Sequence, residues 1–372
     1  MSHVAGLFAG VGGIERGFEQ AGFRTSLLAE IDPAARGVLA KMFPGSDIVA
    51  DVAALDQIPK GTQVVAAGFP CQDLSPPGGK AGIDGSRSGL VAHVFRLLAQ
   101  SRNVEWLVLE NVPFMLRLAG GNAMSRIADE LDALGWRWAY RTVDAICVVP
   151  QRRRRVVLVA SPCHDPATAI FGDDHPSPDD RTWRSGDTVG FYWTEGRSGA
   201  GLRREAVPTL KVGSSIGIPS APAILTQNGS LGMPSIGDAE RLQGFPAGWT
   251  TSAEGGPRAT RWRLIGNAVP PPLANWIARS IAMPPGVAAT VRFAPLSIRC
   301  GWPGAARGDG GNRQSVEIGE GFSSAPRPML SDALFEPLTL LSSRALNGFL
   351  SRARSGGLRW PAGFLDMVAT HA

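Results

Sequence analysis

Along residues 1–160, short apolar runs alternate with segments whose apolar residues recur at helical spacing. Val4–Phe8, Ser26–Glu30, Val64–Ala67 and Trp106–Leu109 read as buried strands, and Arg155–Ala160 as another. Between them Ile14–Ala21, Pro33–Met42, Leu90–Ser101 and Ala123–Leu134 carry the helical period. Strand–helix alternation of this kind predicts an α/β fold on a doubly wound, mostly parallel sheet. Ligands of such sheets sit at the carboxyl ends of the strands. The pattern fades after Ala160. Pro162–Pro208 is rich in Asp, Pro, Gly and Trp without a period, and Thr209–Thr250 reads as loops around short strands. Regularity returns near Arg261, with Leu273–Ile281 helical. Met283–Gly286 reads as a linker. The tail Val287–Ala372 holds a glycine-rich stretch, Gly301–Gly311, and an amphipathic helix, Ser343–Arg352.

The 372 residues allow two domains or three, long enough to bury a core without staples. No apolar run approaches the roughly 18 residues of a membrane helix. Met1–Phe8 lacks a basic leader. Collagen-like, coiled-coil and wholly disordered classes are excluded. A soluble intracellular protein with no membrane partner is expected. The net charge is +5, and only four of the 37 basic residues are lysine, leaving 33 arginines. Guanidinium forks suit phosphates and base edges, so the balance favours a nucleic-acid partner; an arginine-biased genome explains it equally well. The four cysteines, Cys71, Cys147, Cys163 and Cys300, form no C-x-x-C pair, and the five histidines do not cluster beside them. That argues against structural zinc and against a disulfide framework.

Six short motifs carry the chemistry. Gly6-Leu-Phe-Ala-Gly10-Val-Gly12-Gly13 follows a strand and opens a helix, as a loop that lets backbone approach a nucleotide-like ligand does. It is not the dinucleotide fingerprint, because Glu15 stands where a glycine is needed. Glu30 ends the next strand, placed to take ribose hydroxyls, and Asp51 ends the third, placed to meet an adenine edge. Together they point to an adenosine cofactor; a plain tight turn is the alternative for the glycines alone. Cys71, in Gly68-Phe-Pro70-Cys71-Gln72, sits at a strand end before a Gly/Pro loop, where a nucleophile belongs. Glu110-Asn111-Val112 closes another strand and offers a carboxylate to the same crevice, or a cap or structural ion pair. In Gln151–Arg155, alternation puts Arg153 and Arg155 on one face and Arg152 and Arg154 on the other. Leading into a buried strand, that run cannot be wholly solvated, so one pair is expected to face a partner. Arg241-Leu-Gln-Gly-Phe-Pro246 and Gly266-Asn267-Ala-Val complete the set.

Taken in order, these six motifs resemble those of the DNA cytosine-5 methyltransferase family across residues 4–282. The resemblance implies a Rossmann-like methyltransferase sheet with a smaller, loop-rich target-recognition domain, and S-adenosylmethionine as cofactor. Phe8 would pack on the adenine, Glu30 hold the ribose, Asp51 meet the adenine amino group, and Gly10, Gly12 and Gly13 lie under the methionine part. Pro70, Leu90 and Asn267 match other pocket positions. Carbon 5 of cytosine is a poor nucleophile, so the Cys71 thiolate would add at carbon 6 and create an enamine that takes the methyl group. Glu110 would engage ring nitrogen 3. Arg155 would contact the ring oxygen and steady Glu110, and Arg153 would hold the loop and a phosphate. Loss of the carbon 5 proton and of Cys71 would release the product. The base must leave the duplex, at a cost of a few kcal/mol.

The implied layout is a catalytic and cofactor-binding lobe over 1–160, a target-recognition lobe over 161–259, a return segment over 260–283 and an extension of unknown role over 284–372. The implied partners are double-stranded DNA and a restriction endonuclease acting on the same site, for a monomer in the cytoplasm with the nucleoid. An RNA cytosine methyltransferase and a catalytically idle DNA-binding relative are the rival readings. Intact Cys71, Glu110 and Arg155 speak against the second. Two departures stand out. Ser235-Ile-Gly-Asp238 replaces the family's Thr-Pro-x-Glu, and Pro162–Val207 holds eight acids against five arginines. The tail, with nine arginines and six acids, either supplements DNA contacts or completes the smaller lobe.

Overall fold

The computed structural model describes residues 1–69, 89–184, 186–197, 199–212, 221–253, 259–298 and 301–372. These form two compact units. The first comprises Met1–Asp144, Arg154–Ser177 and Val269–Ser324; the second comprises Ala145–Arg153, Pro178–Ala268 and Ala325–Ala372.

The first unit begins β1 (His3–Leu7), α1 (Gly13–Gln20), β2 (Arg24–Ala29), α2 (Pro33–Met42), β3 (Asp47–Val49) and β4 (Thr62–Ala67). It continues α3 (Leu90–Gln100), β5 (Trp106–Asn111), α4 (Asn122–Ala133), β6 (Arg137–Asp144), β7 (Arg154–Ser161) and α5 (Pro166–Ile170). Each strand and helix predicted over residues 1–160 is present within two residues at either end. Strands β5, β4, β1, β2 and β3 run parallel. Strand β7 runs antiparallel to both β5 and β6, so the sheet is mixed. Alternate residues of the central strands, including Ala5, Leu7, Val65, Ala67, Leu107 and Leu109, build one core with Val94 and Phe95 of α3 and Ile127 and Leu131 of α4. Asp32 caps α2 by accepting from the Ala34 amide at 2.9 Å, with Pro33 at the first helical position.

The chain then supplies the second unit with β8 (Val189–Phe191), β9 (Arg203–Arg204), β10 (Ala223–Leu225), β11 (Leu231–Met233), α6 (Ile236–Leu242) and α7 (Ala259–Asn267). Ser235 caps α6, its hydroxyl accepting from the Asp238 amide at 2.9 Å. After α7 the chain returns to the first unit with α8 (Pro271–Ala282), β12 (Arg292–Pro295), β13 (Ala305–Asp309) and β14 (Asn312–Glu317). Strand β13 pairs antiparallel with β6, and the large sheet reaches ten strands in the order β12-β14-β13-β6-β7-β5-β4-β1-β2-β3. The glycine-rich stretch thus runs through β13 into the turn of a hairpin with β14. Arg141 of β6 secures it. Wholly buried, its guanidinium donates to the carbonyls of Ile170, Asp173, Gly319 and Gly321 at 2.5–3.1 Å.

The last stretch completes the second unit with β15 (Thr339–Leu340), α9 (Ser343–Ser355) and α10 (Phe364–Ala369). Its sheet runs β15-β11-β10-β8-β9. Val189, Phe191, Ala223, Leu225 and Leu231 bury against Leu346, Phe349, Leu350, Phe364 and Val368. Buried Asp238 pairs with Arg241 and accepts from the amides of Phe335 and Glu336 at 3.0 and 3.2 Å. The departure at 235–238 therefore sits where the tail docks. The division differs from the one the sequence suggests. The segment 284–372 is not one extension but splits near Ser324, half adding strands to the large sheet and half closing the small core. The lobe boundaries at 160 and 259 likewise give way to crossings at 144–145, 153–154, 177–178 and 268–269.

One acid interrupts the apolar interior of the first unit. Glu15, in the first turn of α1, is buried, and no other described residue hydrogen-bonds to its carboxylate oxygens. Burial pushes its pKa up to about 8 against a backbone hydrogen bond that lowers it, and the negative charges of Glu19 and Glu30 add to the rise. No helix among the described residues is long and apolar enough to cross a membrane.

Two outcomes follow for stability. Phe349→Ala is expected to cost about 3–5 kcal/mol in chemical denaturation, and removal of residues 325–372 to leave a chain that aggregates. Glu15 holds a proton in the folded state that the unfolded chain releases from pH 4.5 upward. It therefore weakens the fold progressively between pH 4.5 and 8 and has no effect below that window. Glu15→Gln should raise the melting temperature at pH 7.5, by about 4 kcal/mol of stability, and leave it unchanged at pH 4.

Candidate active site

In the first unit, the carboxyl ends of β1, β2, β4 and β5 gather two groups of functional side chains. The first surrounds the glycine loop. Beyond Leu7 the backbone turns through the left-handed region at Phe8 (φ 57°), Gly10 (φ 56°) and Gly12 (φ 82°). The Ala9 amide donates to the Ala29 carbonyl at 3.1 Å, pinning the loop to the end of β2. A Cβ on Gly12 would collide with the Phe43 ring, whereas a Cβ on Gly10 would project into open space. Gly12 thus serves packing, and Gly10 leaves room for a ligand. Glu30 is fixed beside it: one carboxylate oxygen accepts from the Gly10 amide at 2.7 Å and the other from the Asp32 amide at 2.8 Å. Arg36 holds the carbonyls of Glu30 and Ile31 at 3.0 and 2.7 Å. Ile31 follows with 74% of its surface exposed, and Phe8 lies half-buried against the core. Asp51 is exposed, with one oxygen capping the Ala53 amide at 2.9 Å. Leu90 opens α3, half-buried. A fixed carboxylate, free space over Gly10 and apolar side chains alongside fit a nucleoside, whose sugar is polar and whose base is flat and apolar on its faces.

The second group lies at the end of β5. Glu110 and Arg155 are about nine-tenths buried and form an ion pair at 2.6 Å between Glu110 Oε1 and Arg155 Nε. Arg155 also donates to the Arg154 carbonyl at 2.7 Å. Asn111 Nδ2 donates to the Phe69 carbonyl at 2.9 Å, and its Oδ1 accepts from the Val112 amide at 2.8 Å. A Cβ on Gly68 would stand 3.7 Å from Glu110 Oε2. The chain leaving β4 is thereby fixed against both Glu110 and Asn111. Pro70 and Cys71, the next residues of that motif, lie outside the described residues.

The arginine run alternates in burial as expected, Arg153 and Arg155 buried and Arg154 exposed, although strand β7 begins only at Arg154. Arg153 belongs to the second unit, is 1% exposed, and donates to the carbonyls of Leu210, Gly266 and Ala268 at 2.8–3.2 Å. Gln151 reinforces this knot by accepting from the Leu210 amide at 2.9 Å and donating to the Gln243 side chain at 2.5 Å. Gln243 in turn donates to the Ala268 carbonyl. Arg152 lies 3.9 Å from Asp180, and Arg154 is paired with Glu320. All four arginines thus find partners within the chain. Asn267 is exposed at the end of α7, in the second unit.

The structure brings Phe8, Gly10, Gly12, Gly13 and Glu30 to one loop, and Glu110 and Arg155 to one strand end. It assigns Arg153 to backbone anchoring. Sequence reasoning gave no role to Ile31, Asn111 or Gln243. Ile31 had a usable signal, an apolar residue set between Glu30 and a helix cap; the two amides had none, because their partners are 42 and 92 residues away.

The family model for C-5 cytosine-specific DNA methylase matches residues 3–185. The type II methyltransferase M2.BsuMI of Bacillus subtilis (strain 168) is 46% identical over 363 residues, 94% of this chain and 92% of that protein. M.Bsp6I of Bacillus sp. (strain RFL6), also a type II methyltransferase, is 27% identical over 76% of this chain and 98% of its own length. The solved structure of S. pombe Dnmt2 methyltransferase covers 76% of this chain and 99% of its own at a TM-score of 0.55 and 14% identity, a likeness of fold alone. With identity of that level sustained along nearly its whole length, the chain belongs to the C-5 cytosine-specific DNA methylases and is a DNA (cytosine-5-)-methyltransferase.

Proposed function

We propose that the protein methylates carbon 5 of cytosine within a specific double-stranded DNA sequence, using S-adenosylmethionine, with the target base turned out of the duplex. The cofactor supplies an electrophilic methyl group. Its adenosine would be held by Glu30 at the ribose, by Phe8 and Ile31 at the base and by Asp51 at the adenine edge. Gly10 would leave room for the chain that carries the methyl group.

The observation that carries the reading is the joint anchoring of Glu110 and Gly68–Phe69 at one strand end. It supports a nucleophile, Cys71, delivered from the segment that Asn111 fixes. Cytosine is activated when the Cys71 thiolate bonds to carbon 6, and the electron pair displaced toward ring nitrogen 3 needs an acid there. Arg155 engages Glu110 Oε1. Oε2, which faces Gly68, is left for that nitrogen. Arg155 thus sets the orientation of Glu110, and Arg153 shapes the Gly266–Ala268 turn rather than touching substrate. Elimination of the carbon 5 proton and of Cys71 regenerates the thiolate.

The type II designation of the relatives supports a further part of the reading: a cognate endonuclease that cuts the same sequence, with this chain acting as a monomer on cytoplasmic, nucleoid DNA. Bisulfite mapping after expression in a host lacking 5-methylcytosine would reveal the sequence.

A duplex with 5-fluorocytosine at the target should trap a covalent complex that needs both the cofactor and Cys71. Undiminished trapping by Cys71→Ala would remove the nucleophile assignment. Arg155→Ala should lower kcat by about 10²–10³, the scale of losing one placed electrostatic group, while DNA affinity changes only a few-fold. Arg153→Ala should instead lower the melting temperature by leaving buried carbonyls unpaired.

A further inference from the structure

Glu15 is the one residue of the glycine-loop region that neither packing nor the proposed chemistry uses. It stands in the first turn of α1, two residues beyond Gly13, and its carboxyl lies under β1. A Cβ on Gly6 would collide with that carboxyl, so the strand leading into the loop is hollowed to receive an acid. Both oxygens are buried and take no hydrogen bond from any other described residue, Glu15's own backbone amide being the one donor near them. An unpaired buried acid costs the fold stability, and such costs are retained where function uses them.

No cation among the described residues faces Glu15 from the elements around it. On its own helix Arg16 stands next in sequence, half-buried, and the charges that act on the Glu15 carboxyl are the negative ones of Glu19 and of Glu30, which closes β2. Strand β1 offers only His3 at its far start, and Arg24 of β2 and Arg279 of α8 point to solvent. On β5, Glu110 is matched by Arg155. The carboxyl is held near the midpoint of its titration at slightly alkaline pH. A positive charge arriving at the adjoining loop would be weakly screened from it.

We infer that Glu15 makes the cofactor site sense the sulfonium charge, releasing a proton to solvent when S-adenosylmethionine binds and keeping it when the demethylated product, S-adenosylhomocysteine, binds. The inference rests on the reading of the Gly10–Glu30 region as the cofactor site. The two ligands share every other group, and they differ by the methyl group and one positive charge. Ionised Glu15 favours the charged one, so discrimination in favour of cofactor over product rises with pH through about 8.

Calorimetric titration of the full chain with each ligand, at pH 8 in two buffers of different ionisation enthalpy, counts the protons. About half a proton should leave per S-adenosylmethionine bound, beyond the count for the product, because the group is about half protonated at that pH. The ratio of product Kd to cofactor Kd should widen by about tenfold from pH 6.5 to 9, the effect of one pKa unit. Glu15→Gln should abolish both effects. Equal proton counts for the two ligands in the unaltered chain, or an unchanged ratio profile in Glu15→Gln, overturns the inference while leaving the cofactor reading intact. Absence of cofactor binding at every pH would overturn both.

Discussion

The Glu110–Arg155 ion pair depends on one strand running the wrong way. Glu110 stands near the carboxyl end of β5, where a parallel sheet gathers its ligands. Arg155 stands at the beginning of β7. Had β7 been parallel, its first residues would lie at the opposite edge of the sheet. Because it is antiparallel, with Glu110 opposite Val157, Arg155 falls two residues further along the same face and meets the carboxylate at 2.6 Å. A pair so deeply buried holds only if both partners are present, since removing one strands a charge. The orientation of Glu110, and with it the anchorage of Gly68–Phe69, follows from strand direction.

The large lobe was legible because its strands and helices are long, periodic and local. The glycine loop, Glu30 and Glu110 fall at strand ends that the apolar pattern locates by itself. The tail was not legible, for a physical reason. Strand β13 pairs with β6 across more than 160 residues, and two-residue β15 pairs with β11 across more than 100. Neither is long enough to show alternation, and their stability comes from partners that no local window contains. Arg153 is a related case: alternation locates it as a buried arginine, but the carbonyls it gathers, of Leu210, Gly266 and Ala268, lie 57 to 115 residues away, where no local window names them.

The arginine excess also changes meaning. As a bulk property it favoured a nucleic-acid partner no more than it favoured a biased genome. In the structure, Arg141 and Arg153 are internal clamps, each gathering three or four backbone carbonyls from distant parts of its own unit. A planar fork with five donors can do this; an ammonium on a flexible stem offers a single point of charge and less geometry. Part of the arginine count is therefore accounted for by loop-rich architecture. Segments such as Gly319–Gly321 and Gly266–Ala268 have carbonyls that no helix or sheet satisfies.

These buried polar groups divide into two kinds. A guanidinium whose donors end on carbonyls stays charged across the physiological range, so neither pH nor a ligand changes its state. A carboxyl buried without a partner is the reverse: its proton is the variable it retains. In the sequence Glu15 looked like a residue that merely broke a dinucleotide pattern. Only Gly6, hollowed beneath it, and the absence of a facing cation among the described residues distinguish it. A fold that can clamp two arginines into its interior has the means to pair an acid there as well. That it leaves Glu15 unpaired beside the glycine loop places the responsive group where a charged ligand would arrive.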